Sequence, residues 1–413
     1  FSMEDAKSSV DFDTRKGTFE LNRPGQFFSF DINQYLAFMD RANWDIPAKT
    51  IAVRNKAEGS QSKMLSVNKS QDSLQYMAGS AEFSLLTTVL DVFEANEIDV
   101  ADARIYPDSG RVTIDTAADM RVLERARLTA DRYTRYHEYY DCSLKITSRK
   151  YYKGSGLREY IDKDGTPWPL YFHTLRVNRD IKSEGIAEVE EEDAFFMSPF
   201  FGFQGKVEMY APSKNLIFDG KTIIQNTCDN IVTTWFPFRS SIDPTNIVID
   251  LPKFGEDKAA DRLFNGIFIS NDSTSGYSAF LSKASLKADL EIIRSDGVLL
   301  YDEAIHSYVI ARKERINDPE SRGNYLLLNN RECFTQAEGS LSFGERTGMV
   351  EMQTLGQVTH NLDNDLIEAD VFMGISFPFD DAMLQAIADA LIMNRGEGTV
   401  DISRRAFRIA VNE

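Results

Sequence analysis

This chain of 413 residues contains only four histidines, which limits the enzymatic reactions that it could catalyse. His137, His173, His306 and His360 lie in separate segments, and none belongs to an HExxH motif or to another two-ligand metal spacing. His137, in the aromatic run RYTRYHEYY, is the best candidate for ligand contact. A catalytic histidine needs a partner motif, and none accompanies it. The sequence therefore predicts neither catalytic residues nor a cofactor site, and it leaves enzymatic activity open.

Two acidic segments have the residue types of a calcium site without its full pattern. The segment DKDG at Asp162–Gly165 matches the start of a calcium loop, but the twelfth position, which requires glutamate, holds His173. A hairpin turn of the Asp-Gly type explains this segment better. The segment Asn361–Asp365 lacks the loop glycine and indicates a polar turn. Binding of calcium by scattered surface carboxylates is an alternative that the sequence leaves open, and the sequence assigns no metal ligand.

Tryptophan side chains offer a second kind of chemistry, the stacking of sugar rings. Trp235 lies in the apolar run TTWFPF and is predicted to fill a core. Trp44 and Trp168, together with His137, are kept as candidate ligand-facing aromatic residues.

A glycosidase needs two carboxylates about 5–10 Å apart across a cleft. With 64 acidic residues in the chain, the sequence cannot single out such a pair.

Three cysteines, Cys142, Cys228 and Cys333, lie too far apart in sequence for a CxxC pair or a metal-ligand spacing. Three separate thiols, buried or half-buried, are the favoured interpretation. If the chain is exported to an oxidising compartment, one disulfide with a leftover thiol is the alternative.

A local pattern that recurs along the chain indicates the secondary structure that must position these candidate residues. Two stretches of alternating apolar and polar residues flank a turn containing glycine, which is typical of a β-hairpin. The pattern occurs at Ala103–Asp115, Lys206–Thr222, Ala288–Tyr301 and Ser340–Met352. The sequence therefore predicts a mainly β fold, an elongated antiparallel sheet or sandwich built from successive hairpins, with few short helices.

Two segments have the period of a helix. Near the C-terminus, Asp380 and Asp381 precede a continuous apolar stripe and Gly396 follows it, which predicts a helix at 381–393. The stripe consists of Met383, Leu384, Ile387, Ala388 and Leu391. Asp119–Tyr133 has a thinner stripe at helical offsets and is predicted as a second, short helix.

Composition excludes several partners. The 64 acidic and 46 basic residues leave a formal charge of -18, which repels the phosphate backbone, so no nucleic-acid partner is predicted. No apolar run approaches the roughly 18 residues that a membrane-spanning helix needs, so no transmembrane segment is predicted. The start at Phe1-Ser2-Met3 shows no signal peptide and suggests a piece of a longer polypeptide.

Domain organisation is indicated by length and by one change in composition. The length suits roughly two to four domains, and one continuous sheet fits equally well. The acid-rich segment Ser183–Ala194 precedes the apolar segment Phe195–Phe203. A division is therefore predicted near residue 198, into a β-rich segment 1–198 and a β-rich segment 199–413 that ends in a helix.

A series of short turn and strand motifs runs through much of the chain. The motifs are Asn33-Gln-Tyr35, Trp44-Asp-Ile46, Asp102-Ala103, Ile105, Pro107-Asp-Ser-Gly110, Phe195-Phe-Met-Ser-Pro199, Phe203-Gln-Gly-Lys-Val207, Leu216-Ile-Phe-Asp-Gly220, Asp243-Pro244 and Gly323-Asn324. This series resembles that of a group of very large, uncharacterised, envelope-associated proteins of Bacteroidetes. The resemblance implies a β-rich segment of a longer polypeptide, exported to the periplasm or the cell surface. It implies no activity and no functional residues.

These observations favour a non-enzymatic structural or interaction segment of a larger exported cell-envelope protein, which presents an acidic surface to protein or glycan partners. One alternative is a lipid-carrying β-trough, in which alternate residues such as Val207, Met209, Leu341 and Phe343 line an apolar groove. Another alternative is a glycan-binding module or carbohydrate-active enzyme. The sequence does not specify the oligomeric state.

Overall fold

A computed structural model of the chain describes residues 1–251, 263–271, 275–282, 289–343, 351–376, 379–393 and 405–412. Within these ranges the backbone forms antiparallel strands and three short α-helices, so the predicted mainly β fold is confirmed. The chain forms two compact units. The first comprises residues 1–193 and 205–218, and the second comprises 194–204 and 219–413. The predicted boundary at residue 198 lies inside the segment 194–204.

The first unit contains nineteen complete strands and part of two others. The complete strands are β1 (Ser2–Met3), β2 (Ala6–Asp11), β3 (Lys16–Leu21), β4 (Phe28–Phe30), β5 (Tyr35–Ala37), β6 (Arg41–Asp45), β7 (Thr50–Arg54), β8 (Ser62–Ser66), β9 (Gln75–Ala78), β10 (Ser80–Ser84), β11 (Leu90–Phe93), β12 (Ile98–Val100), β13 (Ala103–Tyr106), β14 (Val112–Ile114), β15 (Leu123–Ala130), β16 (His137–Ser148), β17 (Tyr151–Ile161), β18 (Pro167–Val177) and β19 (Ser183–Val189). They form a sheet in the order β1-β4-β5-β8-β9 and another in the order β14-β11-β10-β7-β6-β3-β2.

The third sheet of the first unit is the longest, and it curls. Its order is β12-β13-β15-β16-β17-β18-β19, continued by β21 (Phe201–Tyr210) and β22 (Leu216–Ile224), and β14 belongs to another sheet. The Asp102 carboxylate, in the turn before β13, accepts hydrogen bonds from the backbone N–H (3.0 Å) and the hydroxyl (2.7 Å) of Ser183 in β19. Tyr152 donates a further hydrogen bond to the Ser183 hydroxyl at 2.8 Å. The turn before β13 and the start of β19, which are not neighbouring strands in this sheet, are therefore joined by a buried polar network.

The second unit contains the remaining elements. They are β20 (Phe196–Ser198), the first part of β21 (Phe201–Tyr210), most of β22 (Leu216–Ile224), β23 (Phe236–Ile242), β24 (Ile249–Asp250), β25 (Phe264–Ile269), β26 (Gly276–Ser282), β27 (Leu290–Arg294), β28 (Val298–Asp302), β29 (Ser307–Ala311), α1 (Lys313–Asn317), β30 (Tyr325–Asn329), β31 (Phe334–Leu341), β32 (Glu351–Asn361), β33 (Leu366–Ser376), α2 (Asp381–Met393) and α3 (Arg405–Asn412). One sheet has the order β24-β28-β29-β30-β31-β32-β33, and a small sheet has the order β26-β25-β27.

Successive hairpins build both large meanders, as predicted. β15 to β19 and β28 to β33 each pair with the next strand along the chain. Of the four predicted hairpins, Lys206–Thr222 and Ser340–Met352 correspond to neighbouring strands, with the turn of the second outside the described residues. The other two, Ala103–Asp115 and Ala288–Tyr301, were wrong as hairpins. Their strands exist, but β13 and β14 enter different sheets, as do β27 and β28.

The predicted helix at Asp119–Tyr133 was also wrong, because this segment contains strand β15. Two register shifts interrupt its pairing with β16, between Leu123 and Ala126 and between Ala126 and Leu128. Arg125, inside the first shift, has a φ of 53°. An extra residue in a strand displaces the alternation of side chains. The first bulge thus separates buried Leu123 and Ala126 by three positions, which imitates the period of a helix.

The predicted helix at 381–393 is confirmed as α2. The Asp380 carboxylate accepts a hydrogen bond from the backbone N–H of Met383 at 2.9 Å, as expected of an N-terminal cap. Gly396, the predicted end signal, lies outside the described residues. Met383, Leu384 and Ile387 are exposed rather than packed in a core.

The three cysteines are not all free thiols, contrary to the favoured interpretation. Cys228 and Cys333, both in the second unit, form a disulfide that joins positions 105 residues apart. Cys142 is free and buried in the first unit. The favoured interpretation of the sequence was therefore wrong, and the alternative, one disulfide with a leftover thiol, is correct. Burial raises the pKa of the Cys142 thiol to about 12, so this thiol is protonated and unreactive at neutral pH.

Candidate functional site

A cleft of about 570 Å³ in the first unit collects charged side chains from several strands and turns. Lys63 comes from β8, Glu97 and Asp99 from the region of β12, Arg132 from the turn after β15, and Lys150 from the turn after β16. The remaining lining residues are Gln75, Tyr76, Met77, Ala101, Arg149 and Ile181. Residues distant in sequence meet here because the ends of these strands lie side by side.

A second cleft, of about 800 Å³, shares Met77 and Glu97 with the first. Its other lining residues are Gln61, Asn96, Tyr106, Pro107, Asp108, Ser109, Gly110, Arg125 and Arg127. We call the two clefts together the polar groove. Six basic and three acidic side chains line it, whereas acidic residues outnumber basic ones in the whole chain. The polar groove is therefore locally basic on an acidic protein.

Ion pairs hold the charged side chains of the polar groove in place. Arg104, beside the groove, donates to Asp99 at 2.8 Å and contacts Glu97 at 2.9 Å. Arg132 also contacts Asp99, at 3.3 Å. In the second cleft, Arg125 pairs with Asp108 at 2.7 Å. Because Asp99 is shared by Arg104 and Arg132, these two arginine side chains are oriented before any ligand arrives.

Hydrogen bonds favour the ionised forms of charged groups in and beside the polar groove. The hydrogen bond with Asp99 raises the pKa of Arg104 above its ordinary value. The hydrogen bond from Lys150 lowers the pKa of Asp72, which lies 3.0 Å from that ammonium. The hydrogen bond with the Tyr133 hydroxyl raises the pKa of Arg132. The polar groove therefore presents a fixed pattern of positive charge and hydrogen-bond donors, suited to carboxylate or sulfate groups.

The three aromatic residues singled out from the sequence do not form one site. Trp44 lies half-buried in β6, in a different sheet from the other two. Trp168, in β18, is half-buried and donates a hydrogen bond from Nε1 to Asp162 at 3.2 Å. His137, at the start of β16, is fully buried. None of the three lines the polar groove. Trp235, expected in a core, is half-buried.

A chain of side-chain hydrogen bonds in the second unit has the residue types of a hydrolase site. Ser278 lies 2.8 Å from Nδ1 of His360, and Nε2 of His360 lies 3.0 Å from Asp365. The Ser278 hydroxyl is also 2.5 Å from that of buried Thr335. The Asp365 side chain is 71% exposed, so screening by solvent weakens its electrostatic interaction with the His360 imidazole. We assign this chain of bonds to the linkage of the small sheet to the large one.

We expect His360→Leu to lower the free energy of unfolding by about 1–3 kcal/mol, because the hydroxyl of Ser278, which also contacts that of Thr335, loses its buried imidazole partner. Asp365→Asn, at the exposed end of the same chain, should change it by less than about 0.5 kcal/mol. Urea denaturation of both variants measures the difference. Equal effects of the two substitutions would contradict this assignment.

The remaining candidates for metal chemistry are dispersed. In the part of the chain that the structure describes, no group of three or more His, Cys, Asp or Glu side chains is placed to hold a metal ion. Asp162, at the start of the calcium-like segment, instead accepts backbone hydrogen bonds from Asp164 and Thr166 in a tight turn. Among the described helices, none has the length and apolar character needed to cross a membrane.

Sequence reasoning did not find the polar groove. Its basic residues come from separate strands and turns, and no motif connects them. The one local signal was the pair Arg149-Lys150 at a turn between two long strands, since adjacent basic residues stand out in a chain with net negative charge. The chain matches no family model, no curated protein and no solved structure at a significant level.

Proposed function

We propose that this chain is a non-enzymatic interaction segment of a larger exported cell-envelope protein, and that its polar groove binds an acidic glycan. The observation that carries the proposal is the excess of basic over acidic side chains along the polar groove of an otherwise acidic chain. Opposite charge steers an anionic ligand to such a surface and fixes its position there.

The lining of the polar groove favours a glycan over a protein partner. Protein interfaces have an apolar core surrounded by a polar rim. Here nine of the twenty lining residues are arginine, lysine, glutamine or asparagine, and Met77 lies between the two clefts. Hydroxyl and carboxylate groups of an acidic sugar chain match these donors and acceptors. Tyr106, under the guanidinium of Arg127 at 5.2 Å, adds an aromatic surface.

Export is supported by the disulfide between Cys228 and Cys333. Disulfides persist in oxidising compartments such as the periplasm and the cell surface, and they are rare in the cytosol. A lipid-carrying trough is less well supported, because the inner face of the curled sheet is filled by its own side chains. Tyr139, Tyr152 and Phe172 on this face are at most 2% exposed.

The test is binding of a uronate oligosaccharide, compared with a neutral glucan oligosaccharide of the same length, by calorimetry. The double charge reversal Arg132→Glu with Lys150→Glu should weaken uronate binding by about 10- to 100-fold. The matched control, Lys7→Glu with Lys16→Glu, changes the net charge equally on exposed positions outside the polar groove. It should retain the affinity, and added salt should weaken binding to the native protein.

Equal affinity for the neutral and the uronate oligosaccharide would contradict the proposal. So would an undiminished affinity in the groove variant, or binding of acidic peptides with no binding of any glycan. Circular dichroism of each variant verifies that the sheets remain folded.

A further inference from the structure

Three tyrosines lie in one row across the outer face of the curled sheet, on every second strand. Tyr106 in β13 pairs with Arg127 in β15, and Arg127 lies opposite Tyr140 in β16, inside the second register shift. Tyr140 pairs with Leu157 in β17, and Leu157 pairs with Tyr171 in β18. Because directly paired residues point to the same face of a sheet, the five side chains share one surface. We call this surface the tyrosine row.

The side chains of the tyrosine row are accessible from solvent. Tyr140 and Tyr171 are 38% and 55% exposed. Leu157, between them, is half-buried, and so is Tyr106 at the far end of the row. An exposed tyrosine presents an apolar ring and a polar hydroxyl group. The row therefore suits a ligand that has both apolar faces and hydroxyl groups, as a sugar chain has.

The spacing of the tyrosines matches the repeat of an extended sugar chain. Neighbouring strands lie about 4.8 Å apart, so paired residues on every second strand are about 10 Å apart. In a β-1,4-linked chain of pyranose sugars, successive rings advance by close to one strand spacing and alternate in orientation. Every second ring therefore presents the same face at the distance that separates two tyrosines. The row from Tyr106 to Tyr171 crosses five strands and matches five sugar rings in length.

Charged side chains beside the tyrosine row favour a neutral chain at Tyr140 and Tyr171. Asp141 follows Tyr140, Glu159 lies two residues after Leu157 on the same face of β17, and both acidic residues are exposed. Carboxylates repel the acidic groups of a uronate and accept hydrogen bonds from sugar hydroxyl groups.

The other end of the row has the opposite character. Tyr106 and Arg127 also line the polar groove, where basic side chains outnumber acidic ones. The ring of Tyr106 lies under the guanidinium of Arg127 at 5.2 Å. The tyrosine row and the polar groove are therefore continuous at these two residues.

We propose that the tyrosine row binds a neutral stretch of a β-1,4-linked glycan, with every second sugar ring stacked on Tyr140 or Tyr171. Tyr106 marks the place where the same chain enters the polar groove with its acidic sugars. This entry rests on the function proposed for the groove, whereas stacking on Tyr140 and Tyr171 does not. The full ligand is thus a glycan that is neutral along the tyrosine row and acidic in the groove.

The test measures binding of cellopentaose, the β-1,4-linked pentamer of glucose, by calorimetry. Maltopentaose has the same composition but α-1,4 linkages, which coil the chain, so it should bind at least about tenfold more weakly. Tyr140→Ala with Tyr171→Ala should weaken cellopentaose binding by about 10- to 100-fold, because both stacking rings are lost. The matched control, Tyr151→Ala with Tyr210→Ala, removes two exposed tyrosines outside the row and should retain the affinity.

A conservative variant separates stacking from other effects of the substitutions. Tyr140→Phe with Tyr171→Phe keeps both rings and should bind cellopentaose within about threefold of the native protein. A loss as large as that of the double alanine variant would show that the rings do not carry the binding, and it would overturn the proposal. Equal binding of cellopentaose and maltopentaose, or undiminished binding by the double alanine variant, would also overturn it.

The groove variant distinguishes failure of the tyrosine row from failure of the polar groove. Arg132→Glu with Lys150→Glu should bind cellopentaose as the native protein does, because neither residue belongs to the row. Cellopentaose binding that requires Tyr140 and Tyr171, with no binding of a uronate oligosaccharide, would support the row and contradict the groove. Uronate binding without any cellopentaose binding would overturn the row and leave the function proposed for the groove intact.

Discussion

Glu338→Gln should lower the free energy of unfolding of the second unit by about 3–5 kcal/mol, because it removes the carboxylate charge that Arg315 and Arg405 share. Glu338 and Arg315 form an ion pair of 3.1 Å, and their side chains are 6% and 7% exposed. Arg405, from α3, donates from Nε to the same carboxylate at 3.2 Å. The substitution keeps the size of the side chain and leaves a buried guanidinium without compensation.

Chemical denaturation of the purified protein measures this effect. Glu368→Gln, an exposed position on β33 of the same sheet, is the matched control and should change the free energy of unfolding by less than about 0.5 kcal/mol. A loss below that limit for Glu338→Gln would show that the buried pair contributes nothing to stability.

The second large effect concerns the disulfide. Replacing Cys228 and Cys333 by serine should lower the free energy of unfolding by about 2–5 kcal/mol, because the bond constrains the unfolded chain across a long loop. The bonded residues are 105 positions apart, and their Cα atoms are 5.5 Å apart in the folded unit. Thermal unfolding with and without reductant gives the measurement.

Reductant provides the internal control for this prediction. It should destabilise the native protein and leave the double serine variant unchanged, because Cys142 is a free thiol. An equal response of both proteins to reductant, or a native protein whose stability does not change, would contradict the structural role of the bond.

The fold class could be predicted from sequence because alternation depends only on neighbouring residues. Each of the four alternating segments contains strands in the structure. The partner of a strand depends on the turn geometry and on distant residues, which alternation does not encode. At Ala103–Asp115, Ser109 and Gly110 have φ values of 54° and 63°, and the chain leaves one sheet for another. At Ala288–Tyr301, Gly297 has a φ of 124° at the corresponding change.

The candidate sites were harder to predict for the same reason. His137 was singled out as a candidate ligand-facing residue, and the structure buries it at the start of β16, outside the lining of the polar groove. The polar groove depends on Lys63, Arg132 and Lys150, and the first and last of these are 87 positions apart in the sequence. Only the pairing of the strands brings such residues together. The disulfide likewise required the tertiary structure to select Cys228 and Cys333 from three cysteines.

The most direct test of the central claim is hydrogen exchange of the chain with and without a uronate oligosaccharide. Binding in the polar groove predicts slower exchange in β8, β9 and β12 and in the turn at Arg149-Lys150, with unchanged exchange in the second unit. Protection confined to other strands, or no protection at ligand concentrations that saturate binding, would contradict the account.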